Sequence, residues 1–231
     1  MKSTVAKQFM LLNGKPIIWY ALNAVERSQI IDDCILVTGA EDIAFVKKEI
    51  VEKYQFHKVD TVIAGGEERY ASVANAMQAI ADNALQVQNK DGYVFIHDGA
   101  RPFLTEQIIQ NTYEAVEKYH ACVAAMPSKD TVKLADEDGF ASKTPDRKRV
   151  WNIQTPQVFD TELIVGAYES LQKNLPSLKK KGIMVTDDAS VVELFTQTKV
   201  KLVEGSYENI KITTPEDLRV AESFLNCCDN S

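Results

Sequence analysis

Hydrophobic residues in this chain form short continuous runs that alternate with stretches of helical periodicity. Residues 34–38, 61–64, 93–96 and 121–125 are such runs, and their length and uninterrupted apolar character predict buried strands. The alternation predicts an α/β fold with a mostly parallel, doubly wound, Rossmann-like sheet covered by helices on both faces. The three intervening helices are predicted from apolar positions at helical spacing, namely Ile43, Val46, Ile50 and Tyr54; Val73, Met77 and Ile80; and Ile108, Thr112, Ala115, Val116 and Tyr119.

The alternation resumes beyond residue 160. It predicts a helix over residues 161–171, a second helix that begins at a Thr186 cap and continues through Phe195, and strands over residues 200–203 and 210–213. Thr214, followed by a proline and two acidic residues, indicates the start of a last helix. Because no internal repeat or low-complexity linker divides the chain, residues 1–231 are predicted to form a single domain.

Residues 128–150 depart from this alternation. Two short half-polar segments, residues 131–134 and 140–143, flank the turn signal Asp136-Glu137-Asp138-Gly139, which predicts a β-hairpin. An isolated hairpin buries little apolar surface and is marginal in water. We therefore expect a protruding β-arm that contacts a second subunit and makes the protein a homodimer. A flexible surface hairpin is the alternative.

Composition and charge restrict the location and the partners. Hydrophobic residues make up 45% of the chain, enough for a sizeable core, but no run of about 18 apolar residues could cross a membrane. The polar N-terminus lacks the apolar region of a secretory signal, so a cytoplasmic protein without a membrane partner is expected. The net charge of −7 argues against a nucleic acid partner, although a pocket for a small anion needs only a few cations.

The four cysteines do not have the spacing of metal ligands. Cys34 and Cys122 lie in apolar runs, and Cys227 and Cys228 lie in a polar tail. We expect reduced thiols, with neither disulfide bonds nor a structural zinc ion.

Candidates for chemistry follow the predicted strands, because ligands of open α/β sheets bind beyond the carboxyl ends of the strands. In His97-Asp98-Gly99-Ala100-Arg101-Pro102, the acid could hold a divalent cation and the arginine could grip a phosphate. After the preceding strand, Gly65-Gly66 would let the backbone approach a flat ligand, and Ser72 could bond a base edge. Each motif alone is also compatible with an ordinary turn.

No serine–histidine–acid set or reactive cysteine stands out, and His57, His97 and His120 occur in unrelated contexts. This favours phosphoryl-type chemistry, in which positioning and charge neutralisation provide most of the catalysis, over a protein nucleophile. The cations that could converge on phosphates are Lys7, Arg101, Arg147 and Lys211.

Eight short motifs along the chain occur in the order seen in the 2-C-methyl-D-erythritol 4-phosphate cytidylyltransferase family, and the resemblance covers nearly the whole sequence. Each motif is modest alone, but eight in order make a chance match very improbable. They are Lys7-Gln8-Phe9, Gly65-Gly66-Glu67-Glu68-Arg69, His97-Asp98-Gly99-Ala100-Arg101-Pro102, Asp130-Thr131-Val132-Lys133, Thr144-Pro145-Asp146-Arg147, Gln154-Thr155-Pro156-Gln157, Thr186-Asp187-Asp188-Ala189-Ser190 and Asn209-Ile210-Lys211-Ile212-Thr213.

The resemblance implies a role for each matching residue. Lys7 resembles the lysine that binds the CTP phosphates, Lys211 the lysine that positions the attacking phosphate, and Asp98 the acid that orients Mg²⁺ or another divalent cation. The cytosine and ribose pocket would be formed by Gly66, Glu67 and Ser72. Thr131 and Arg147 of the arm would hold the acceptor in the partner's site. The remaining substrate contacts would be Arg69, Gly99, Arg101, Thr155, Thr186 and Thr213.

The activity that the resemblance implies is transfer of a cytidylyl group from CTP to a methylerythritol phosphate. A ribitol-5-phosphate cytidylyltransferase is the nearest alternative, since it uses the same chemistry. A nucleotide-binding dimer with impaired catalysis is the second alternative, and a sugar-nucleotide-dependent glycosyltransferase suits the cations less well.

The N-terminus differs from the family pattern. Family members begin with a strand and a loop of the kind Ala-Ala-Gly-x-Gly-x-Arg-Met, which wraps the CTP phosphates, and Met1 aligns with the methionine that ends this loop. An internal methionine taken as the start and a true truncation are both compatible with this alignment. Because the loop's amide groups supply much of the phosphate cradle, the chain as written is expected to bind CTP poorly and an extended chain to be active.

Overall fold

The computed structural model describes residues 6–82 and 92–228, without the side chains of Cys227 and Cys228. Its strands are β1 (Leu11–Leu12), β2 (Lys15–Pro16), β3 (Cys34–Thr38), β4 (Val59–Ala64), β5 (Tyr93–Ile96), β6 (Ala121–Pro127), β7 (Leu134–Ala135), β8 (Ala141–Lys143), β9 (Trp151–Asp160) and β10 (Lys201–Glu204). The α-helices are α1 (Ile17–Arg27), α2 (Ile43–Phe45), α3 (Arg69–Ala81), α4 (Glu106–Tyr119), α5 (Thr161–Lys180), α6 (Asp188–Phe195) and α7 (Pro215–Cys228). Lys7–Phe9, Ala40–Asp42 and Arg147–Arg149 are 3-10 turns, and Val46–Glu52 is π-helical.

The largest sheet among the described residues has the strand order β10-β6-β9-β5. β10 runs parallel to β6, whereas β9 runs antiparallel to both β6 and β5. A separate parallel pair is formed by β3 and β4. The α/β class predicted from the sequence is confirmed, but β9 is an antiparallel strand that the pattern of apolar residues did not reveal.

Helices pack on these strands through two main clusters of buried side chains. Phe159 of β9, Ile164 and Tyr168 of α5, and Met77 of α3 belong to the larger cluster, which also includes residues of α6. The second cluster joins α1 and the π-helical segment to the β3–β4 pair. Each fully buried large apolar side chain contributes about 1.5–3 kcal/mol relative to an exposed one, so these clusters hold the strand ends that carry the site.

A cavity of about 1060 Å³ lies between the two groups of strands. It is lined along its sides by β3 and β5, and on its faces by apolar residues of α1 and α3. Within the described residues β3 pairs only with β4 and β5 only with β9, so a free backbone edge of each strand faces the cavity. At one end, the lining changes from apolar residues to Arg69, Asp98 and Lys211.

The arm extends from β6 to β9 and contains the hairpin of β7 and β8. The antiparallel pairing of β7 with β8 agrees with the hairpin predicted within residues 128–150, but β7 begins only at Leu134, the last residue of the predicted segment 131–134. Phe140 is 72% exposed and Leu134 is 48% exposed, so the arm presents apolar side chains to solvent in the isolated chain.

Several local predictions are confirmed and others are wrong. The strands β3 and β5 have the predicted bounds, and α5 extends beyond its predicted end at residue 171. The prediction that Thr186 caps α6 is wrong. The N-cap is Asp187, whose carboxylate accepts a hydrogen bond from Ser190 N at 3.0 Å. Residues 210–213 do not form a strand, because among their described backbone–backbone hydrogen bonds only the one from Ile212 N reaches a neighbouring loop, at the carbonyl of Ala100.

None of the helices in the described residues is long and apolar enough to cross a membrane. The cytoplasmic location stays a prediction. Cys34 and Cys122 carry free thiols, and burial raises the pKa of each to about 12.

Candidate active site

The candidate site is centred on Asp98, in the loop that follows β5. Its side chain is 14% exposed and faces three cations. Oδ1 accepts from Arg69 Nε at 3.0 Å, and Oδ2 accepts from Lys211 Nζ at 2.9 Å. Arg101 Nε lies 3.8 Å from Oδ2. Three cations around one carboxylate leave a net positive charge, as a site for phosphates requires.

The charge of Asp98 is set by these neighbours. Burial alone would raise the pKa of this carboxyl group, but the ion pairs with Arg69 and Lys211 outweigh burial and lower the pKa to about 2. Asp98 is therefore ionised at neutral pH and can act as a ligand or an acceptor.

Each cation reaches Asp98 from a different element. Arg69 is the first residue of α3, Arg101 lies in the loop after β5 that also carries Asp98, and Lys211 lies between β10 and α7. The Ile212 N–H donates to the carbonyl of Ala100 at 2.9 Å, which fastens the Lys211 segment to the loop. Arg101 Nη1 donates to the carbonyl of Asn209 at 2.7 Å, which adds a second link.

Thr155 and His97 support the backbone of the loop. Thr155 Oγ1 accepts a hydrogen bond from Asp98 N at 3.0 Å and lies 3.1 Å from His97 Nδ1. The other ring nitrogen, His97 Nε2, lies 3.1 Å from the carbonyl oxygen of Arg101. A carbonyl can only accept, so Nε2 carries the proton and Nδ1 accepts from the threonine hydroxyl. Thr155 is 3% exposed, and in this arrangement its hydroxyl is engaged by the loop.

Burial is the main reason that the pKa of His97 is lowered, to about 4. The imidazole is therefore neutral at pH 7. Sequence reasoning missed this residue, although its position directly before Asp98 was a usable signal.

Lys7 lies beside the Lys211 segment. Its ammonium donates to the carbonyl of Thr213, and the Thr213 hydroxyl donates in turn to Asp217 at 2.8 Å. Lys7 and Lys211 are thereby joined through one short segment, although they are distant in sequence. The fold thus brings together predicted residues from distant parts of the sequence, namely Lys7, Arg69, Asp98, Arg101, Thr155, Lys211 and Thr213.

The turn after β4 carries the predicted base pocket. Ser72 Oγ accepts from Gly66 N at 3.1 Å, and a Cβ on Gly66 would lie 2.5 Å from the Cβ of Ala71. Only glycine fits at this close approach. Ser72 lines the cavity next to Asp98, Glu67 is exposed at the turn, and Gly99 lines the same cavity.

The predicted residues without a described contact with Asp98 or its partners include Thr131, Arg147 and Thr186. Thr131 and Arg147 are exposed on the arm, where Arg147 Nη1 donates to the carbonyl of Lys129 at 3.3 Å. Thr186 is exposed before α6. Two residues that the sequence did not assign to the site adjoin it: Asp188 contacts Arg69, and the Tyr168 hydroxyl donates to Asp188.

Mg²⁺ commonly binds through one or two carboxylates together with substrate phosphates. The described residues contain no group of three or more His, Cys, Asp or Glu side chains that could hold a metal ion. Asp98 could therefore hold Mg²⁺ only with phosphate oxygens as further ligands. The Nε of Arg101 is buried and makes no hydrogen bond within the part of the chain that the structure describes, so it fits an additional anion in this place.

The fold and the cationic site define an α/β nucleotidyltransferase, and comparison with solved structures supports this class. The structure of 4-diphosphocytidyl-2C-methyl-D-erythritol synthase from Anaerococcus prevotii superimposes with a TM-score of 0.80 at 36% identity, covering 94% of this chain and 88% of that one. The profile of the family "IspD: 2-C-methyl-D-erythritol 4-phosphate cytidylyltransferase" matches residues 1–227. The chain belongs to this family.

Two curated relatives with the same name are similar over almost their whole length. The Lachnospira eligens protein is 48% identical over 225 residues, which are 97% of this chain and 93% of the relative. The Lachnoclostridium phytofermentans protein is 44% identical over 225 residues, which are 97% of this chain and 90% of the relative.

Proposed function

We propose that this protein transfers the cytidylyl group of CTP to 2-C-methyl-D-erythritol 4-phosphate, with 4-diphosphocytidyl-2-C-methyl-D-erythritol and pyrophosphate as products. The observation that carries the proposal is the set of three cations around Asp98 at the polar end of the cavity, with Lys7 beside them. Membership of the family supports the choice of the two substrates.

The reaction joins two anions. A phosphate oxygen of the acceptor attacks the α-phosphorus of CTP, a new P–O bond forms, and the bond from the α-phosphorus to the bridging oxygen breaks in line. Pyrophosphate leaves with the electron pair of that bond. Mutual repulsion of the substrates opposes their approach, so the protein must place positive charge between them.

Lysines are suited to this task because an ammonium is a compact charge on a flexible stem. Lys211 holds the acceptor phosphate next to the α-phosphorus, and Lys7 stabilises the negative charge that grows on pyrophosphate. Arg101 binds a phosphate oxygen through Nε, the donor that has no hydrogen-bond partner among the described residues. Gly66, Glu67 and Ser72 orient the cytosine and the ribose.

Asp98 would hold Mg²⁺ together with phosphate oxygens, and the ion would act as a Lewis acid on those oxygens. For this to occur, Lys211 has to move from Oδ2 toward the acceptor phosphate. Its side chain is 41% exposed, which leaves it free to do so.

The homodimer forms part of the same proposal. The arm exposes Phe140 and Leu134, and a hairpin with exposed apolar side chains is stabilised when a second subunit covers it. Thr131 and Arg147 would then hold the methylerythritol phosphate in the site of the neighbouring subunit.

Pyrophosphate release from CTP tests the proposal, with methylerythritol phosphate and ribitol 5-phosphate as competing acceptors. Turnover that requires both a divalent cation and methylerythritol phosphate is expected. Preference for ribitol 5-phosphate would replace the proposed acceptor. Calorimetry that detects CTP binding without any turnover would instead support a nucleotide-binding dimer.

A further inference from the structure

Asp188, the first residue of α6, is a fully buried carboxylate next to the candidate active site. Arg69 Nη1 and Nη2 donate to its two oxygens at 3.0 and 2.7 Å, and the Tyr168 hydroxyl donates to Oδ1 at 2.6 Å. An ionised carboxylate is costly to bury, by several kcal/mol, unless its partners are well placed. These three hydrogen bonds satisfy that requirement.

Arg69 links this buried acid to Asp98. While its two Nη atoms form a fork with Asp188, its Nε donates to Asp98 Oδ1 at 3.0 Å. A guanidinium is planar, so a fork that fixes the Nη atoms also fixes the direction of the Nε–H bond. The orientation of Arg69 is therefore set by Asp188, on the side away from Asp98.

Without Asp188, the guanidinium would be free to turn both Nη atoms onto Asp98, since bidentate pairing is the geometry that arginine and carboxylates favour. Both oxygens of Asp98 would then be covered by one arginine, and Lys211 would lose its place at Oδ2. The bidentate pairing of Arg69 with Asp188 thus leaves Oδ2 of Asp98 available, either to Lys211 or to a cation that also binds phosphate oxygens.

Tyr168 completes the arrangement from α5, where it is 1% exposed in the larger core cluster. Burial raises the pKa of its hydroxyl group, and Asp188 raises it further, so the hydroxyl stays protonated and remains a donor. The donated hydrogen bond holds the Asp188 carboxylate in the plane that the Arg69 fork needs.

We propose that Asp188 and Tyr168 are positioning residues, which hold Arg69 in the one orientation that presents only Nε to Asp98 and keeps Arg69 away from Oδ2, the second oxygen of Asp98. This inference rests on the proposed function, because it takes Asp98 as the acid beside the reacting phosphates. Neither residue is among those that line the cavity beside Asp98.

The first test measures turnover of this chain with Tyr168→Phe and Asp188→Asn, each at a temperature where urea titration shows the variant to be folded. Loss of a residue that orients a ligating group typically costs 10–100-fold, so kcat is expected to fall by about that factor with little change in KM for CTP. Tyr54→Phe, in the cluster around Trp19 and Phe56, is the matched control and keeps wild-type kcat.

The second test does not depend on activity. In [¹⁵N]arginine-labelled protein, a guanidinium held in a fork gives separate Nη signals because its rotation is hindered, and Arg69→Lys identifies those of Arg69. Tyr168→Phe is expected to broaden or merge these signals while the rest of the spectrum stays native.

The two measurements separate the inference from the proposed function. Wild-type kcat and unchanged Arg69 signals in Tyr168→Phe would overturn the inference, as would a fall in kcat that matches the unfolded fraction. If the wild-type chain itself shows no turnover, the proposed function fails. The Arg69 signals then decide alone: merged signals in Tyr168→Phe support the inference, and unchanged ones overturn it.

Discussion

The ammonium of Lys211 lies 2.9 Å from Oδ2 of Asp98, although the two residues belong to loops at distant points of the sequence. The contact exists because the segment after β10 is fastened to the loop after β5 by the hydrogen bond from Ile212 N to the carbonyl of Ala100. A cationic pocket thus forms at the carboxyl end of β5 in a protein whose net charge is −7.

Lys211→Ala should lower kcat/KM by about 10²–10³-fold, the usual cost of removing one preorganised donor. The free energy of unfolding should change little, because the Lys211 side chain is 41% exposed and Asp98 keeps Arg69 and Arg101 as partners. Steady-state kinetics and urea titration measure the two effects. The control is Lys173→Ala on α5, which removes an exposed lysine whose described ion pair is with Glu169. Equal kcat/KM in both variants would exclude a role for Lys211.

Mixing two inactive variants tests whether the arm acts on the neighbouring subunit. Arg147→Ala alone should cripple turnover, as should Lys211→Ala. In a heterodimer of the two, one site has an intact Lys211 and receives an intact Arg147 from its partner. Random exchange of subunits should restore about a quarter of wild-type activity, since half of the dimers are mixed and each has one complete site. No recovery after verified exchange would contradict an arm that acts in trans.

His97 makes stability depend on pH. Its pKa is about 4 in the folded protein, below its ordinary value of 6.5, mainly because the ring is buried. The unfolded chain therefore binds more protons between these values, so the folded state loses stability as pH falls from about 6.5 to about 4, by up to about 1.4 kcal/mol per pH unit.

Urea titrations across this range should show a shallower pH dependence for His97→Gln than for the wild type. The exposed His57 provides the control, and His57→Gln should retain the wild-type slope. Identical slopes in all three proteins would mean that His97 does not titrate as its burial requires.

The cavity between β3 and β5 should tolerate added volume. Ala76 lines it from α3, so Ala76→Leu should leave the free energy of unfolding unchanged or raise it, because new methyl groups fill empty space. Ala125 is fully buried within the closed part of the sheet, and Ala125→Leu should lower the same quantity by about 1–3 kcal/mol. The midpoints of urea unfolding compare the two variants. A larger loss of unfolding free energy for Ala76→Leu than for Ala125→Leu would show that the cavity is filled in solution.

The local elements could be read from the sequence where one interaction dominated. β3 and β5 were predicted with their correct bounds because continuous apolar runs must be buried. The start of α7 was evident because proline and two acids suit the first turn of a helix. Asp98 and Arg101 were candidates because polar residues after a buried strand lie where open α/β sheets bind ligands.

The sequence could not reveal β9 as a central strand or Asp188 as part of the site. Gln157 of β9 is 1% exposed. Its burial is possible because both ends of its amide are hydrogen-bonded: Ala189 N donates to Oε1 at 2.8 Å, and Nε2 donates to Asp187 at 3.0 Å. Asp188 is buried because Arg69 and Tyr168 pair with it. A polar group can be buried only when such partners arrive from other elements, and that is a property of the packed fold. The sequence by itself thus determined the α/β class, the arm and the candidate acid, whereas tertiary packing decided which cations surround that acid and how they are held.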